Sequence, residues 1–163
     1  MARHVYSSFH YDDVSRANIV RNSNTLKSNA TEIGFYDDSL WEEAKTKGKA
    51  EIRKLIDDGM AGASVTIVLI GSQTYERPWV IYEIEKSYAD GMGLVAIHIN
   101  PIKDWSGSTK SHGPNPLDYV QTSGGMFSSQ KLSSVFRTYD WVSDDGYNNV
   151  ATWTEEAAAA AGR

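Results

Sequence analysis

Two continuous apolar runs constrain this chain most: VTIVLI at residues 65–70 and LVAIHI at residues 94–99. Both are rich in β-branched residues and lack polar alternation, the pattern of strands buried on both faces. Between them, Arg77 to Ala89 has helical spacing, with Pro78 suited to its first turn, an apolar stripe at Ile81, Ile84 and Tyr88, and Gly91 where a stop belongs. A strand, a crossover helix and a second buried strand imply parallel pairing with a right-handed connection.

The preceding residues continue the alternation. HVYSSF (His4–Phe9) reads as a strand, and Asp12 and Asp13 as caps for a helix from Val14 to Lys27, frayed by Asn22, Ser23 and Asn24. TEIGFY (Thr31–Tyr36) reads as a second strand ending at Asp37-Asp38, most simply a turn and cap pair. Ser39 is placed to cap a turn at Leu40-Trp41; Ala50, Ile52, Leu55 and Ile56 predict a helix over Lys49–Asp57, with Gly59 as its stop. The fold class is therefore α/β, a central parallel β-sheet with helices on both faces. Residues 101–130, rich in Gly, Ser, Pro and Asn, read as a long ordered loop. Ser134–Val142 reads as a late strand, and Asn148–Ala161 as an alanine-rich helix with few core anchors. No repeat or linker splits the chain, so residues 1–163 are read as one domain.

The net charge of −5, with both signs interspersed, argues against nucleic acid as a partner but leaves room for a small anion at a local site. The absence of cysteine excludes disulfides, thiolate metal sites and a cysteine nucleophile. The N-terminal MARHVYSSFHYDD has no apolar signal core, and no apolar stretch reaches the length of about 18 residues that a membrane span needs. The expected setting is cytoplasmic, with no membrane contact.

Common catalytic motifs are missing: no GxxxxGK[ST] loop, no HExxH, no GxSxG. Gly91-Met92-Gly93 follows a helix and precedes a strand, the reverse of a dinucleotide fingerprint. His4, His10, His98 and His112 show no metal-ligand spacing, and His98, inside an apolar strand, reads as a satisfied core residue. In open α/β sheets ligands bind outside the carboxyl ends of the strands, here Ser8-Phe9-His10, Asp37-Asp38, Gly71-Ser72-Gln73 and Asn100. Trp79 and Glu83, four apart on the helix after the third strand, share a face beside its core stripe, and Glu83 lies near enough to the helix start to lean toward those ends. Glu85 is an equally available carboxylate on spacing alone.

Ser72-x-x-Tyr75-x-x-x-Trp79-x-x-x-Glu83 resembles the S-x-x-Y…W-C-x-x-E signature of TIR domains, with Val80 where many have cysteine. HVYSSFHYDD resembles the first TIR box. The pieces SFHYDDV, DDSLWEEAK, VTIVLIGSQTY, RPWVIYEIEKS, IHIN and GPNPLDY resemble the TIR-like (ThsB-like) family that is sensor and enzyme of the bacterial Thoeris anti-phage system, over residues 3–120. The resemblance implies a flavodoxin-like TIR fold. It also implies an NAD+ glycohydrolase or ADP-ribosyl cyclase-like enzyme, whose cyclic or rearranged ADP-ribose product activates a separate effector in antiviral defence after a phage-derived trigger. Glu83 takes the catalytic position.

That role is chemically sufficient for one carboxylate. Nicotinamide in NAD+ is already a cationic pyridinium and leaves neutral, so the general acid of ordinary glycosidases is not required. The carboxylate holds the ribose and stabilises an oxocarbenium-like charge. Whether the product is cyclic depends on which nucleophile reaches the anomeric carbon and on keeping water out, for which the 101–130 loop could serve as a lid. NAD+ enters as substrate; no metal or resident cofactor is implied. Expected substrate-binding residues are Ser8, Phe9 and His10 at the first strand end, and Asp38, Ser39 and Trp41 in the loop after the second strand, a region that TIR domains also use in assembly into homo-oligomers. Ser72 could contact the ribose or cap the helix, and Phe9 or Trp79 could stack on nicotinamide or pack in the core. The rival from another class is a non-catalytic TIR interaction module, which keeps the fold but has no need of Glu83. A phosphoryl receiver is disfavoured because Asp12-Asp13 come too late and Asn100 replaces the lysine.

Overall fold

The computed structural model describes residues 3–23, 26, 30–32, 38–123 and 129–163, with the backbone alone for 30–32 and 38–42. Its centre is a five-stranded sheet of β1 (Arg3–Ser8), β2 (Ala30–Glu32), β3 (Val65–Ile70), β4 (Gly93–His98) and β5 (Thr138–Asp140). The spatial order is β2-β1-β3-β4-β5 and every pairing is parallel, with Ser8 opposite Val68 and Ile70 opposite His98. This is the flavodoxin-like order, in which the winding reverses between β1 and β3. Helices α1 (Val14–Arg21), α2 (Asp38–Lys47), α3 (Lys49–Met60), α4 (Pro78–Ala89) and α5 (Gly146–Ala160) cover the two faces.

Alternation along the strands assigns the faces. Val65, Ile67 and Leu69 of β3 share a core with Ala17 and Val20 of α1 and with Val150, Trp153 and Ala158 of α5. Val68 and Ile70 point the other way, onto Val80 and Ile84 of α4. Beside them, Tyr6 of β1 joins Ile52, Ile56 and Met60 of α3. The buried hydroxyl of Thr66 meets that of Ser87 at 2.7 Å, and Ser87 Oγ donates to the Glu83 carbonyl at 2.7 Å. These polar contacts fix α4 over β3, so its buried face is Val80, Glu83, Ile84 and Ser87. Ile81 and Tyr88, expected in the core stripe, are half-buried at its margin.

Several boundaries differ from expectation for local reasons. The turn expected at Ser39 to Trp41 is instead the start of α2, supported by a Glu43–Lys47 pair at 2.9 Å and by Ala44 packed against α3. Helix α3 continues through Gly59 because Met60 is buried, and the left-handed stop falls at Gly62 (φ +85). Helix α1 ends at Arg21, and β2 is described over Ala30–Glu32, one residue earlier than the expected start at Thr31; residues 24, 25, 27–29 and 33–37, the rest of the expected strand among them, lie outside those described.

The described part of the 101–130 region is the ordered loop expected, with one regular turn in it. Its 3-10 turn Pro116–Tyr119 buries Leu117 in the core beside α4, together with Val120, Leu132 and Phe136. The late strand shrinks to Thr138–Asp140, since Leu132–Ser134 form a turn and the Asp140 carboxylate accepts from Val142 and Ser143 amides. Helix α5 is anchored better than its composition suggests: Val150, Trp153, Thr154, Ala157 and Ala158 are buried, and Trp153 stacks on Tyr139 with centroids 3.9 Å apart. Its alanines allow contact so close that a Cβ on Gly93 would lie 2.4 Å from the Ala157 carbonyl oxygen. Among the described residues no helix is long and apolar enough to cross a membrane.

Candidate active site

Strand β1 places Tyr6 and Ser8 two residues apart on the face that α4 covers, and α4 turns Glu83 toward them. The Glu83 carboxyl accepts from the Tyr6 hydroxyl at Oε2 and from Ser8 Oγ at Oε1, 3.0 Å away. All three residues are buried, and no cation pairs with Glu83 among the described residues. Burial drives its pKa up to about 8, against the opposing pull of the Tyr6 and then the Ser8 hydroxyl. A carboxyl enclosed at the carboxyl end of a central strand, poised near neutrality, is the strongest catalytic candidate in the chain. Glu85, the alternative on spacing, is exposed.

The sequence-predicted residues divide around this group. Ser8 is in direct contact. Phe9, next along the strand, faces the opposite way and packs into the core beneath α1 and α5, so strand alternation removes it from the carboxyl. His10 sits half-buried just beyond β1, with Nε2 3.2 Å from Asp12 Oδ2. Trp79 is half-buried one turn before Glu83 and meets Tyr82 edge-on, with centroids 5.7 Å apart, against the core beneath α3. Glu83 is therefore on the core face of α4 rather than on a face beside it. Ser72 does not cap α4, whose start has no side-chain cap; Thr74 Oγ1 instead accepts the Gly71 amide at 2.7 Å. The side chains of Asp38, Ser39 and Trp41 lie outside those described. His98 is buried as expected but not satisfied: its Nδ1 has no partner, and its ring stacks on His112 at 4.1 Å.

Tyr6 was not selected from the sequence, although it stands two residues before Ser8 on a short strand. Period-two spacing was the available signal. The same holds for the fastening of the 101–113 segment. Arg16, 1% exposed, donates from Nε to the Ile102 carbonyl at 2.8 Å and from Nη2 to the Ser108 carbonyl at 2.7 Å. Gly113 lies so close to the end of β3 that a Cβ there would be 2.4 Å from the Gly71 carbonyl oxygen. This part of the expected lid is tied down against β1, β3 and α1.

A family model described as "Thoeris protein ThsB, TIR-like domain" matches residues 6–104, from Tyr6 through Glu83 to the pinned Asp104. The chain belongs to the ThsB TIR-like family. A relative from Bacillus cereus (strain MSX-D12), named "Putative cyclic ADP-D-ribose synthase ThsB1", is 42% identical, with the match covering 94% of this chain and 99% of the relative. The ThsB match thus contains both sides of the site, the strand that supplies Tyr6 and Ser8 and the helix that supplies Glu83.

Proposed function

We propose that this chain cleaves NAD+ at the nicotinamide N-glycosidic bond and converts the ADP-ribosyl group into a cyclic or rearranged ADP-ribose messenger that activates a separate effector in anti-phage defence. The observation that carries the reading is Glu83, enclosed without a counter-ion among the described residues and gripped by two hydroxyls at the end of β1. The name of the 42% identical relative points to the same product class.

The chemistry follows from the carboxyl's environment. Burial favours the neutral acid near pH 7. A pyridinium cation arriving beside it favours the carboxylate, so substrate binding is coupled to proton release. The electron pair of the C–N bond leaves with nicotinamide, which departs neutral, and positive charge develops on the ribose. Glu83 opposes that charge and accepts from the ribose hydroxyls, while Tyr6 and Ser8 keep its oxygens aligned. Capture of the anomeric carbon by a nucleophile within the ADP-ribosyl group gives the cyclic product; capture by water, with loss of its proton, gives ADP-ribose. A positioned internal nucleophile wins through effective molarity.

The rival interaction module has no use for an acid buried against its ionised form. The deciding experiment expresses wild type and Glu83→Gln in cells, challenges them with a phage panel, and follows NAD+ and ADP-ribose-type products by mass spectrometry. A new product in wild type that vanishes in the variant is expected. Equal product from both displaces Glu83 as the catalyst, and no product from wild type with any phage favours the interaction module.

A further inference from the structure

Where β1 and β3 end, two nitrogen atoms are enclosed without a hydrogen bond among the described residues. One is Nε2 of His10, two residues past Ser8, which lies 3.2 Å from Asp12 Oδ2; the other is Nε of Arg77, which immediately precedes α4. Arg77 reaches only Gln73 Oε1, at 3.3 Å, through Nη2, and forms no ion pair among the described residues. The adjacent Glu76 is occupied by the Tyr75 hydroxyl at 2.6 Å. His10 feels its surroundings from several elements. Burial, the charge of Arg77 and that of Lys110 hold its pKa below the ordinary value, while Asp12 and Asp13 pull the other way. Asp13 is itself engaged by Arg16 at 3.5 Å and Lys110 at 3.6 Å. The corner therefore gathers His10, Arg77 and Lys110 beside Asp12 and Asp13, and among the described residues the Arg77 Nε–H is left without an acceptor, which is costly for an enclosed donor.

We propose that His10 and Arg77 form a seat for the diphosphate of the dinucleotide whose ribose lies against Glu83. This rests on the NAD+ reading and adds how the substrate is gripped beyond its reacting end. Arginine presents a rigid fork of donors that fits phosphate oxygens, and its Nε edge is the part left open here. Glu83 is six residues after Arg77, the N-cap position of α4, a rise of about 9 Å. Ribose at one end and diphosphate at the other would span that length of helix. Such a seat explains why a chain of net charge −5 keeps an unpaired arginine at this corner.

The test uses three probes on the intact chain by titration calorimetry and NMR: ADP-ribose, nicotinamide riboside, which lacks phosphate, and inorganic pyrophosphate. Arg77→Gln is expected to weaken ADP-ribose about tenfold to a hundredfold while leaving nicotinamide riboside unchanged, and Arg77→Lys to recover part of the loss. Pyrophosphate is expected to raise the His10 pKa in wild type and not in Arg77→Gln; unchanged thermal unfolding of the variants excludes a loss of fold. Equal weakening of both nucleoside probes, or no weakening of either, overturns the seat. So does a pyrophosphate response that is absent in wild type or unaltered in Arg77→Gln. Failure of nicotinamide riboside to bind wild type, with the pyrophosphate response intact, instead overturns the NAD+ reading and leaves the anion seat standing.

Discussion

Among the described residues two carboxylates are buried near the carboxyl end of the sheet, and only one has cations. Asp13, 1% exposed, has Arg16 and Lys110 within 3.6 Å, while Arg16 also ties Ile102 and Ser108 to α1. Glu83, 7% exposed, has two neutral hydroxyls and no counter-ion among the described residues. The first arrangement is structural: a paired buried charge pins a long segment to the sheet, and removing one partner strands the other. The second disfavours its own ionisation, the setting that the proposed binding of a positively charged leaving group would use. The same residue class, at the same edge, is set to opposite tasks by what stands next to it.

The largest effects separate the two tasks. Glu83→Gln should cut product formation by at least about a hundredfold to a thousandfold, read by mass spectrometry, and leave the fold intact. Arg16→Met should do the reverse, losing about 3–5 kcal/mol in urea unfolding because Asp13 keeps only Lys110 and the carbonyls of Ile102 and Ser108 lose their donor. A Glu83→Gln protein that unfolds like Arg16→Met would break the comparison.

Next comes pH. A folded-state pKa of about 8 for Glu83 against 4.5 unfolded means full stability below pH 4.5 and a loss as pH rises through about 8. Wild type should therefore lose on the order of 4 kcal/mol across that window relative to Glu83→Gln, measured by denaturation at pH 4 and pH 9. Parallel profiles for the two proteins would show that the carboxyl ionises freely in the fold. Smaller still is Gly71→Ala, whose Cβ would stand 2.0 Å from Asp13 Oδ2, an oxygen held on a carboxylate locked by two cations. About 1–3 kcal/mol of stability should be lost, with the Glu83 titration unmoved.

How much of this could be read from residues follows a physical line. The runs at 65–70 and 94–99 announced two buried parallel strands because continuous apolarity has few other uses in a chain of this length. Glu83 was reachable through the resemblance of its spacing from Ser72, Tyr75 and Trp79. Ser8 was legible as a strand-end residue and Tyr6 was not; that both grip Glu83, more than seventy residues away, comes only from the packing of α4 on the sheet. Phe9 was placed in the pocket because it ends a strand, but alternation sends it to the opposite face. The 101–130 segment was legible as an ordered loop but its anchors were not, because Arg16 and Gly113 act through carbonyls and close backbone contact, which carry no side-chain signature.

The finest distinction lies inside the Glu83 grip itself. Burial raises the carboxyl's pKa and the Tyr6 and Ser8 hydroxyls lower it, with Tyr6 the larger of the two. Tyr6→Phe keeps the ring that packs with α3 and removes only the donor, so the fold should hold while burial gains the upper hand. A hydrogen bond to an ionised group is worth about 1.5 kcal/mol or more, so the titration should move upward by about one pH unit. Ser8→Ala should move it less. Carbon-13 NMR of the Glu83 carboxyl reads the shift directly, without waiting for a trigger. If the activity is recovered in Tyr6→Phe at a correspondingly higher pH, the hydroxyl acts by setting the proton affinity of Glu83. If the titration moves and activity stays low at every pH, Tyr6 also fixes the direction in which the carboxylate meets the ribose.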